Sequence, residues 1–437
     1  MLSNKCESKS AIHYLLFSRK LTLPLFVMTL VSTWYGDILS VTQMAFKRGI
    51  STVIIHGIGF YISAIFFMIF IVKKARSMNT STLPEIIRNH YGTSASKIAS
   101  IMIIVKSLPV TYLISIGVLV QKLIGVNLYI SMLIAIVFII ACIGMRGLSG
   151  IIYSDAIQFI LIYFSVIMVI IFSFIKYGNY KFLITNLDAR YISINGDETL
   201  SYIFMWVLTS IVTTFISPIF YQRCFAAKNI RVAKRGILIS VIFWMICDLC
   251  TVIGSMYARI VLPHSLPYEA YFNYALIILP TGLKGIFLSG IAATILSTLD
   301  SFLFICSTTL TYDLCGKKFS HYRYDKIFGL ILTSFITFCL ASYYVNQIEQ
   351  FSMAVRSYCG VTLAIPLIFT IIFGKILNEK QFIISVVVTF LCMVFNDFIL
   401  TKPFVTSFYL GIIIAISNVC FFILINYFSK FLKQKFP

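Results

Sequence analysis

Charged residues are scarce in this chain: they make up 11% of its 437 residues, whereas 59% of the residues are hydrophobic. Soluble domains carry about 25% charged residues, so this composition excludes a soluble globular protein. Acidic residues are the rarest, with 15 Asp and Glu against 35 Lys and Arg, and the mean hydropathy is +0.96. Apolar runs of the roughly 20 residues that cross a bilayer recur along the whole chain, which predicts an all-α polytopic membrane protein.

Patterns typical of several other protein classes are also missing. No G-x-x-x-x-G-K-[ST] nucleotide-binding motif occurs, and the polar gaps between the apolar runs are too short to form soluble domains. The five histidines show no metal-ligand spacing, and the CDLC cysteines at Cys247 and Cys250 lie inside an apolar span, where they are interpreted as small packing residues. No nucleophile, base and orienting group occur together at a recognisable spacing, so we do not expect an enzyme.

Hydropathy predicts about twelve transmembrane helices. They lie near residues 20–45, 50–72, 94–123, 127–145, 153–177, 201–222, 233–262, 285–313, 325–345, 350–375, 381–400 and 404–429. Most Lys and Arg residues fall in the segments that are inside if the amino terminus is cytoplasmic, which predicts that both termini are cytoplasmic. Because this orientation accounts for the net charge of +20, we expect the lipid bilayer and no nucleic acid as a partner.

The first span contains a polar stretch in the middle of an apolar helix. Its sequence LTLPLFVMTLVSTWYGDILSVTQMAF places Trp34, Tyr35, Gly36 and Asp37 there. Gly36 weakens the helix, and a locally unwound turn would free backbone carbonyls to bind a cation. A glycine-containing helix that simply packs against its neighbours is the structural alternative.

The eighth span carries a stripe of hydroxyl groups along one helical face. Thr294, Ser297, Thr298 and Ser301 follow one another at i, i+3, i+4 and i+7, and Asp300 borders the stripe. Hydroxyl and carbonyl oxygens are hard ligands suited to a small cation such as Na+. Hydroxyls that only bond to their own helix or to neighbouring helices are the alternative interpretation.

Two further residues suggest a transport pathway. Asp155 opens the fifth span, where its carboxylate either receives a cation that leaves toward the cytoplasm or caps its helix. Pro218 interrupts the sixth span and indicates a second broken helix. The basic segment QRCFAAKN that follows is interpreted as an anchor on the inner side of the membrane.

Four stretches of the chain resemble the sodium:solute symporter family, in the family's order. They are RKLTLPLFVMTLVSTWYGDI, GLSGIIYSDAIQF, SPIFYQRCFAAKNIRVAKRG and GIAATILSTLDSFLFICSTTLTYDL. The resemblance implies a LeuT-type core of 5+5 helices in two inverted repeats. We expect a cytoplasmic segment at 1–19, the first repeat at 20–177, the second at 201–376, and two additional helices at 381–430.

The resemblance also implies a sodium site between the first and eighth helices. Carried onto matching positions, it uses the carbonyls of Tyr35, Ile38 and Thr294 and the hydroxyls of Ser297 and Thr298. Sodium is therefore the expected coupling ion.

Some family members hold a second sodium further inward. The matching residues here are Asp155, Ser297, Asp300 and Ser301, which we expect to form a second sodium site or a release path. Asp300 is a carboxylate at a position where other members carry a small neutral residue, so the resemblance leaves the sodium stoichiometry open.

The expected solute site includes Trp34, Asp37, Ser210, Thr214 and Pro218. Asp37 matches a position that is important in the family's proline carriers. Those carriers have aromatic residues one and two turns before the proline of the sixth helix, whereas this chain has Thr214 and Ser210, which disfavours proline as the solute. Family members usually carry an extra helix before the core, so either this lineage lacks it or the start is truncated.

The sequence thus predicts a secondary active transporter of the plasma membrane that couples inward sodium movement to uptake of a small organic solute. Two alternatives remain at this point. One is a proton-coupled symporter of the same fold, in which Asp37, Asp155 or Asp300 titrates. The other is a transporter-like membrane sensor. No obligate protein partner is evident from the sequence.

Overall fold

The computed structural model describes residues 13–78, 80–143, 147–316, 323–345, 348–398 and 404–435. Nine of the described helices are long and apolar enough to cross a membrane, and one bent helix pair makes a tenth span. Two shorter apolar helices, Leu128–Cys142 and Ser357–Phe373, coincide with the two remaining predicted spans. Of the expected amino-terminal segment 1–19, residues 1–12 lie outside the described ranges.

The spanning helices are numbered α1 to α12 in chain order. Their bounds are α1 Leu23–Arg48, α2 Val53–Ser77, α3 Thr93–Ile124, α4 Leu128–Ile143, α5 Leu148–Tyr177, α6a Leu200–Phe215, α6b Pro218–Ala226, α7 Ile230–Val261, α8 Thr281–Leu314, α9 Arg323–Tyr344, α10 Ile348–Phe373, α11 Glu379–Phe398 and α12 Phe404–Lys435. Shorter connecting helices are Leu83–Tyr91, Tyr180–Asn186, Ala189–Ile192 and Pro267–Ile278.

Proline and glycine set several of the helix ends. Pro218 and Pro267 occupy first helical positions, where the missing N–H of proline has no intrahelical partner to lose. Gly49 and Gly125 end α1 and α3 with φ of +65° and +79°, a conformation that side chains with a Cβ rarely adopt. Pro109 marks the break between the two halves of α3.

Helix α8 lies in the middle of the bundle. It packs against α1, α3, α5 and α9, and α7 packs against both halves of α1. The central segment of α8, from Ala293 to Thr308, is almost entirely buried, although it carries several hydroxyl groups and Asp300. Because buried polar groups are costly at membrane depth, this position marks α1 and α8 as the place to look for a functional site.

Large apolar side chains are exposed on the outer helices. Typical examples are Val137, Phe138, Ile157, Ile175 and Leu424. Exposed apolar faces on helices of spanning length are those of an integral membrane protein, because lipid replaces water around them.

Candidate functional site

The site is built around a tightened turn in α1. The two α-helical halves of α1 are joined by a single 3-10 turn, Tyr35–Asp37, in which the N–H of Tyr35 donates to the carbonyl of Ser32. The expected break is therefore a contraction of the helix and not an unwound segment. A Cβ at Gly36 would overlap the side chain of Thr298, so glycine permits α1 to approach α8 closely here.

The hydroxyl stripe of α8 faces α1, as the sequence pattern predicts. Ser297 Oγ donates to the carbonyl oxygens of Ser32 at 2.9 Å and Thr294 at 3.0 Å. Thr298 Oγ1 donates to the carbonyl of Thr33 at 2.9 Å and also contacts that of Thr294 at 3.3 Å. All five residues are buried. Each hydroxyl oxygen keeps lone pairs while its proton is donated, so this donor set fits a small hard cation.

The family resemblance places the carbonyls of Tyr35 and Ile38 in the sodium site. The hydroxyls of α8 instead donate to the carbonyls of Ser32 and Thr33, about one helical turn earlier in α1. Tyr35 itself is buried, and its side-chain hydroxyl lies 2.7 Å from that of Thr251 on α7. The structure thus brings α1 and α8 together, but the hydrogen bonds of α8 reach carbonyls one turn before those that the resemblance implies.

Asp155 is fully buried between α5 and α1. Its Oδ2 accepts hydrogen bonds from Thr29 and from Thr33, the latter at 3.3 Å, and the hydroxyl of Ser32 donates to its backbone carbonyl at 3.0 Å. Asp155 lies two turns inside α5, which begins at Leu148, so it does not cap that helix. The alternative of a capping role is therefore wrong.

Arg223 is the residue whose position the sequence pattern does not predict. It is fully buried in α6b, and its Nη2 lies 3.5 Å from Asp155 Oδ2 and donates to Ser301 Oγ at 2.9 Å. Its Nε also donates to the hydroxyl of Thr29, at 3.2 Å. The sequence interprets the basic segment QRCFAAKN as an anchor at the inner membrane surface. For Arg223 this interpretation is wrong, because its side chain lies inside the helix bundle.

Asp300 completes a buried charged cluster, which we call the inner cluster: Asp155, Arg223, Asp300 and Ser301. Asp300 is 7% exposed and directly precedes Ser301, which accepts the hydrogen bond of Arg223. One oxygen of each carboxyl group, Oδ1, has no hydrogen-bond partner among the described residues. The inner cluster thus combines two buried carboxyl groups with one guanidinium.

A small cavity lies beside the α1 turn. Its lining combines aromatic rings with two carboxylates and a histidine, and it includes Trp34, Tyr35, Asp37, His56, Phe60, Tyr61, Trp244 and Asp248. We call this the aromatic cavity. Two of these residues, Trp34 and Asp37, are expected in the solute site.

A larger cavity adjoins the aromatic cavity and shares Trp34 and Asp37 with it. Lys106 and Thr213 also line this larger cavity. The Lys106 ammonium donates to the carbonyls of Thr213 at 3.1 Å and Ile216 at 3.4 Å, at the carboxyl end of α6a. A cation at this end stabilises the helix dipole and satisfies carbonyls that the break in α6 exposes.

The other three expected solute residues lie near the break in α6. Pro218 begins α6b, and the two halves of α6 are bent by 44°. Ser210 donates to the carbonyl of Trp206 in its own helix, and Thr214 is fully buried. None of the three lines either of the two cavities described, to which the α6 region contributes Thr213 and Ser217.

Solved structures share this architecture. One is a Na+-coupled sialic acid symporter in a substrate-bound, outward-open state, with a TM-score of 0.77 at 15% identity over 95% of this chain and 92% of that chain. Another is a nucleobase-cation-symport-1 family transporter in a closed conformation, with a TM-score of 0.61 at 12% identity over 92% of each chain. Identities this low show the fold alone, and the predicted all-α LeuT-type fold is confirmed.

The curated relatives are longer than this chain and share about a quarter of the aligned residues with it. Solute carrier family 5 member 4B of Mus musculus is 23% identical over 69% of this chain and 54% of its own length, so the chain spans about half of that protein. The sodium/glucose cotransporter of Vibrio parahaemolyticus is 24% identical over 74% of this chain and 68% of its own length. A model of the sodium:solute symporter family matches residues 14–388. The chain therefore belongs to the sodium:solute symporter family, whose members are membrane transporters.

Proposed function

We propose that this protein is a secondary transporter that couples inward sodium movement to uptake of a small organic solute by alternating access. One observation carries the proposal: the Tyr35–Asp37 turn of α1 contacts the buried hydroxyl stripe of α8 on one side and lines the aromatic cavity on the other. An ion and a solute that both bind to this turn favour the same conformation of α1, which is the requirement for coupling. The sodium-coupled relatives and structural neighbours support this choice.

Sodium binds between α1 and α8 in this proposal. Its ligands are the carbonyls of Tyr35, Ile38 and Thr294 and the hydroxyls of Ser297 and Thr298. The two hydroxyl protons already point at carbonyl oxygens of α1 and α8, so the lone pairs of both oxygens can turn toward an ion without breaking those hydrogen bonds.

The inner cluster serves as the release path toward the cytoplasm. A second resident sodium is disfavoured because Arg223 Nη2 already binds Ser301 and lies beside Asp155. The unpartnered Oδ1 oxygens of Asp155 and Asp300 receive a sodium ion that leaves the α1–α8 site. The guanidinium prevents that ion from being trapped.

The solute binds in the aromatic cavity and the larger cavity, in contact with Trp34 and Asp37. The solute site is supported indirectly by three residues of α6, which stabilise the break beside these cavities: Ser210, Thr214 and Pro218. The repeats at 20–177 and 201–376 move relative to each other around this site, and the helices at 381–430 lie outside the repeats. The protein resides in the plasma membrane with both termini in the cytoplasm.

The test is a thermal-stability titration of the purified protein in detergent with NaCl, against KCl at matched ionic strength. A specific ion stabilises the folded state by about 2.7 kcal/mol at a hundredfold excess over Kd. The double variant Ser297→Ala/Thr298→Ala should lose the sodium-specific gain. Ser289→Ala is the matched control, because this exposed hydroxyl of α8 bonds only within its own helix.

Three results would contradict sodium coupling. Equal stabilisation by NaCl and KCl removes the ion specificity, and an unchanged sodium response of the double variant removes α8 from the site. Solute uptake into sodium-free vesicles that is driven by a pH gradient alone would favour the proton-coupled alternative.

A further inference from the structure

We infer that the solute is a small organic cation, whose charged group binds to Asp248 and the indole rings beside it in the aromatic cavity. This inference rests on the proposed transport function and names the substrate class of the same site. It concerns Asp248, which is not among the solute residues expected from the sequence.

Asp248 has an unused carboxylate oxygen inside the cavity. The residue lies in the middle of α7, is 5% exposed and lines the aromatic cavity. Its Oδ2 accepts a hydrogen bond from the hydroxyl of Tyr61, whereas Oδ1 has no hydrogen-bond partner among the described residues. A carboxylate at membrane depth is costly unless a cation or several donors face it, so a ligand that supplies the charge is stabilised there.

The lining of the aromatic cavity is acidic. It includes a second carboxyl group, that of Asp37, together with His56, and no Lys or Arg is among the described residues that line it. Lys106 lines the adjoining cavity, and its ammonium donates to carbonyls at the end of α6a. A solute that brings its own positive charge complements the acidic side chains of the aromatic cavity.

Aromatic rings surround the same cavity. Trp34 packs edge-on against Phe60, with ring centroids 5.1 Å apart, and its ring centroid lies 5.7 Å from that of Trp244. Trp34, Phe60 and Trp244 all line the aromatic cavity. Aromatic faces attract cations, and Trp is the strongest of them. Quaternary and primary ammonium groups are recognised by this combination of rings and a carboxylate.

A neutral sugar is the competing solute for this lining. Polyols are oriented by several placed hydrogen-bonding groups, but they bring no positive charge to a buried carboxyl group. The aromatic cavity has two acidic side chains and a histidine among aromatic rings, and the hydroxyl of Tyr61 is already bonded to Asp248. The solute inferred here therefore differs in charge from the glucose in the names of some curated relatives.

The deciding experiment compares a cation with its neutral isostere on the unmodified protein. Thermal stability is measured in NaCl with one of three cations added: choline, tetramethylammonium or agmatine. The neutral probes are glucose and dimethylbutanol, which has the shape of choline without its charge. We expect at least one of the three cations to stabilise the protein at about a tenfold lower concentration than dimethylbutanol and glucose. Equal effects of charged and neutral probes, or no effect of any cation, would overturn the inference.

Variants then locate the charge dependence. Asp248→Asn should weaken the response to the stabilising cation by about tenfold or more while the sodium response persists. Asp397→Asn is the matched control, because this acid of α11 binds Tyr358 and Ser407 and does not line either described cavity. An unchanged cation response of Asp248→Asn would remove Asp248 from the site; if this variant does not fold, Trp244→Leu takes its place with the same expected loss.

The two proposals fail separately. A sodium-specific gain in stability without any preference for charged probes overturns the substrate class and leaves sodium coupling intact. A preference for cations without a sodium response overturns the proposed coupling and leaves the assignment of the aromatic cavity intact.

Discussion

Replacing Arg223 by Gln removes the guanidinium from the inner cluster and leaves a shorter, uncharged polar side chain. Asp155 and Asp300 then face each other without a basic residue between them, and Ser301 loses its charged donor. We expect the variant to be less stable than the unmodified protein in KCl. Sodium should restore part of that stability, because an ion can now occupy the position of the guanidinium.

The magnitude follows from the burial of the pair. Arg223 and Asp155 are both 0% exposed, so water does not solvate the carboxylates after the substitution. Removing one partner of a buried ion pair costs about 3–5 kcal/mol. A newly bound sodium returns about 2.7 kcal/mol at a hundredfold excess over its Kd, so most of the loss should be recoverable in NaCl.

The assay is thermal unfolding in detergent across a series of NaCl and KCl concentrations, with Arg231→Gln as the control, since Arg231 is exposed at the start of α7. The double variant Arg223→Gln/Asp300→Asn restores the original net charge. It should be more stable in KCl than the single variant, because it removes one of the two carboxylates that face each other. With Asp300→Asn measured alone, we expect a coupling energy between the two sites of roughly 0.5–3 kcal/mol.

Two outcomes would refute this reasoning. If Arg223→Gln unfolds at the same temperature as the unmodified protein in KCl, the guanidinium does not compensate the buried carboxylates. If its stability loss is the same in NaCl and KCl, the position does not accept sodium, and the role of Arg223 is limited to packing and hydrogen bonding.

Two further substitutions test the contacts of the broken helices. Gly36→Ala should abolish the sodium-specific gain in stability, because the added methyl group overlaps Thr298 and separates α1 from α8. The control Gly282→Ala meets no atom within 4 Å and should leave the gain unchanged. Equal effects of the two substitutions would contradict a close approach at Gly36. Lys106→Met should lower the thermal stability by about 1–3 kcal/mol, because the carbonyl of Thr213 loses a charged donor; a stability equal to that of the unmodified protein would show that the ammonium is dispensable there.

The sequence is sufficient to predict the fold because hydropathy and pattern report on local structure. Each predicted span coincides with a described apolar helix, and Pro218 lies at the break in α6. The helical spacing of Thr294, Ser297 and Thr298 is enough to place their hydroxyls on one face of α8. That this face meets α1 is implied by the family resemblance and does not follow from the spacing.

The charged clusters are harder to predict, because they depend on which residues meet across the bundle. Arg223 is 68 residues from Asp155 in sequence, and the positive-inside pattern assigns an arginine in a basic segment to the membrane surface. Asp248 stands out as an acid within a span, but its proximity to Trp34 and Trp244 depends on the packing of α7 against α1. Hydropathy contains no information about such pairings.

The α1 turn links the inner cluster to the two cavities. Thr33 bonds to both Asp155 and Arg223 and also lines the larger cavity, whereas the next residue, Trp34, lines both cavities. The sodium ion and the cationic solute that we propose therefore bind to different groups around this turn and do not compete for one site. Cotransport of both would move two positive charges inward. The membrane potential would then contribute about 2.3 kcal/mol for each charge per 100 mV, more than it contributes to uptake of a neutral solute with one sodium ion.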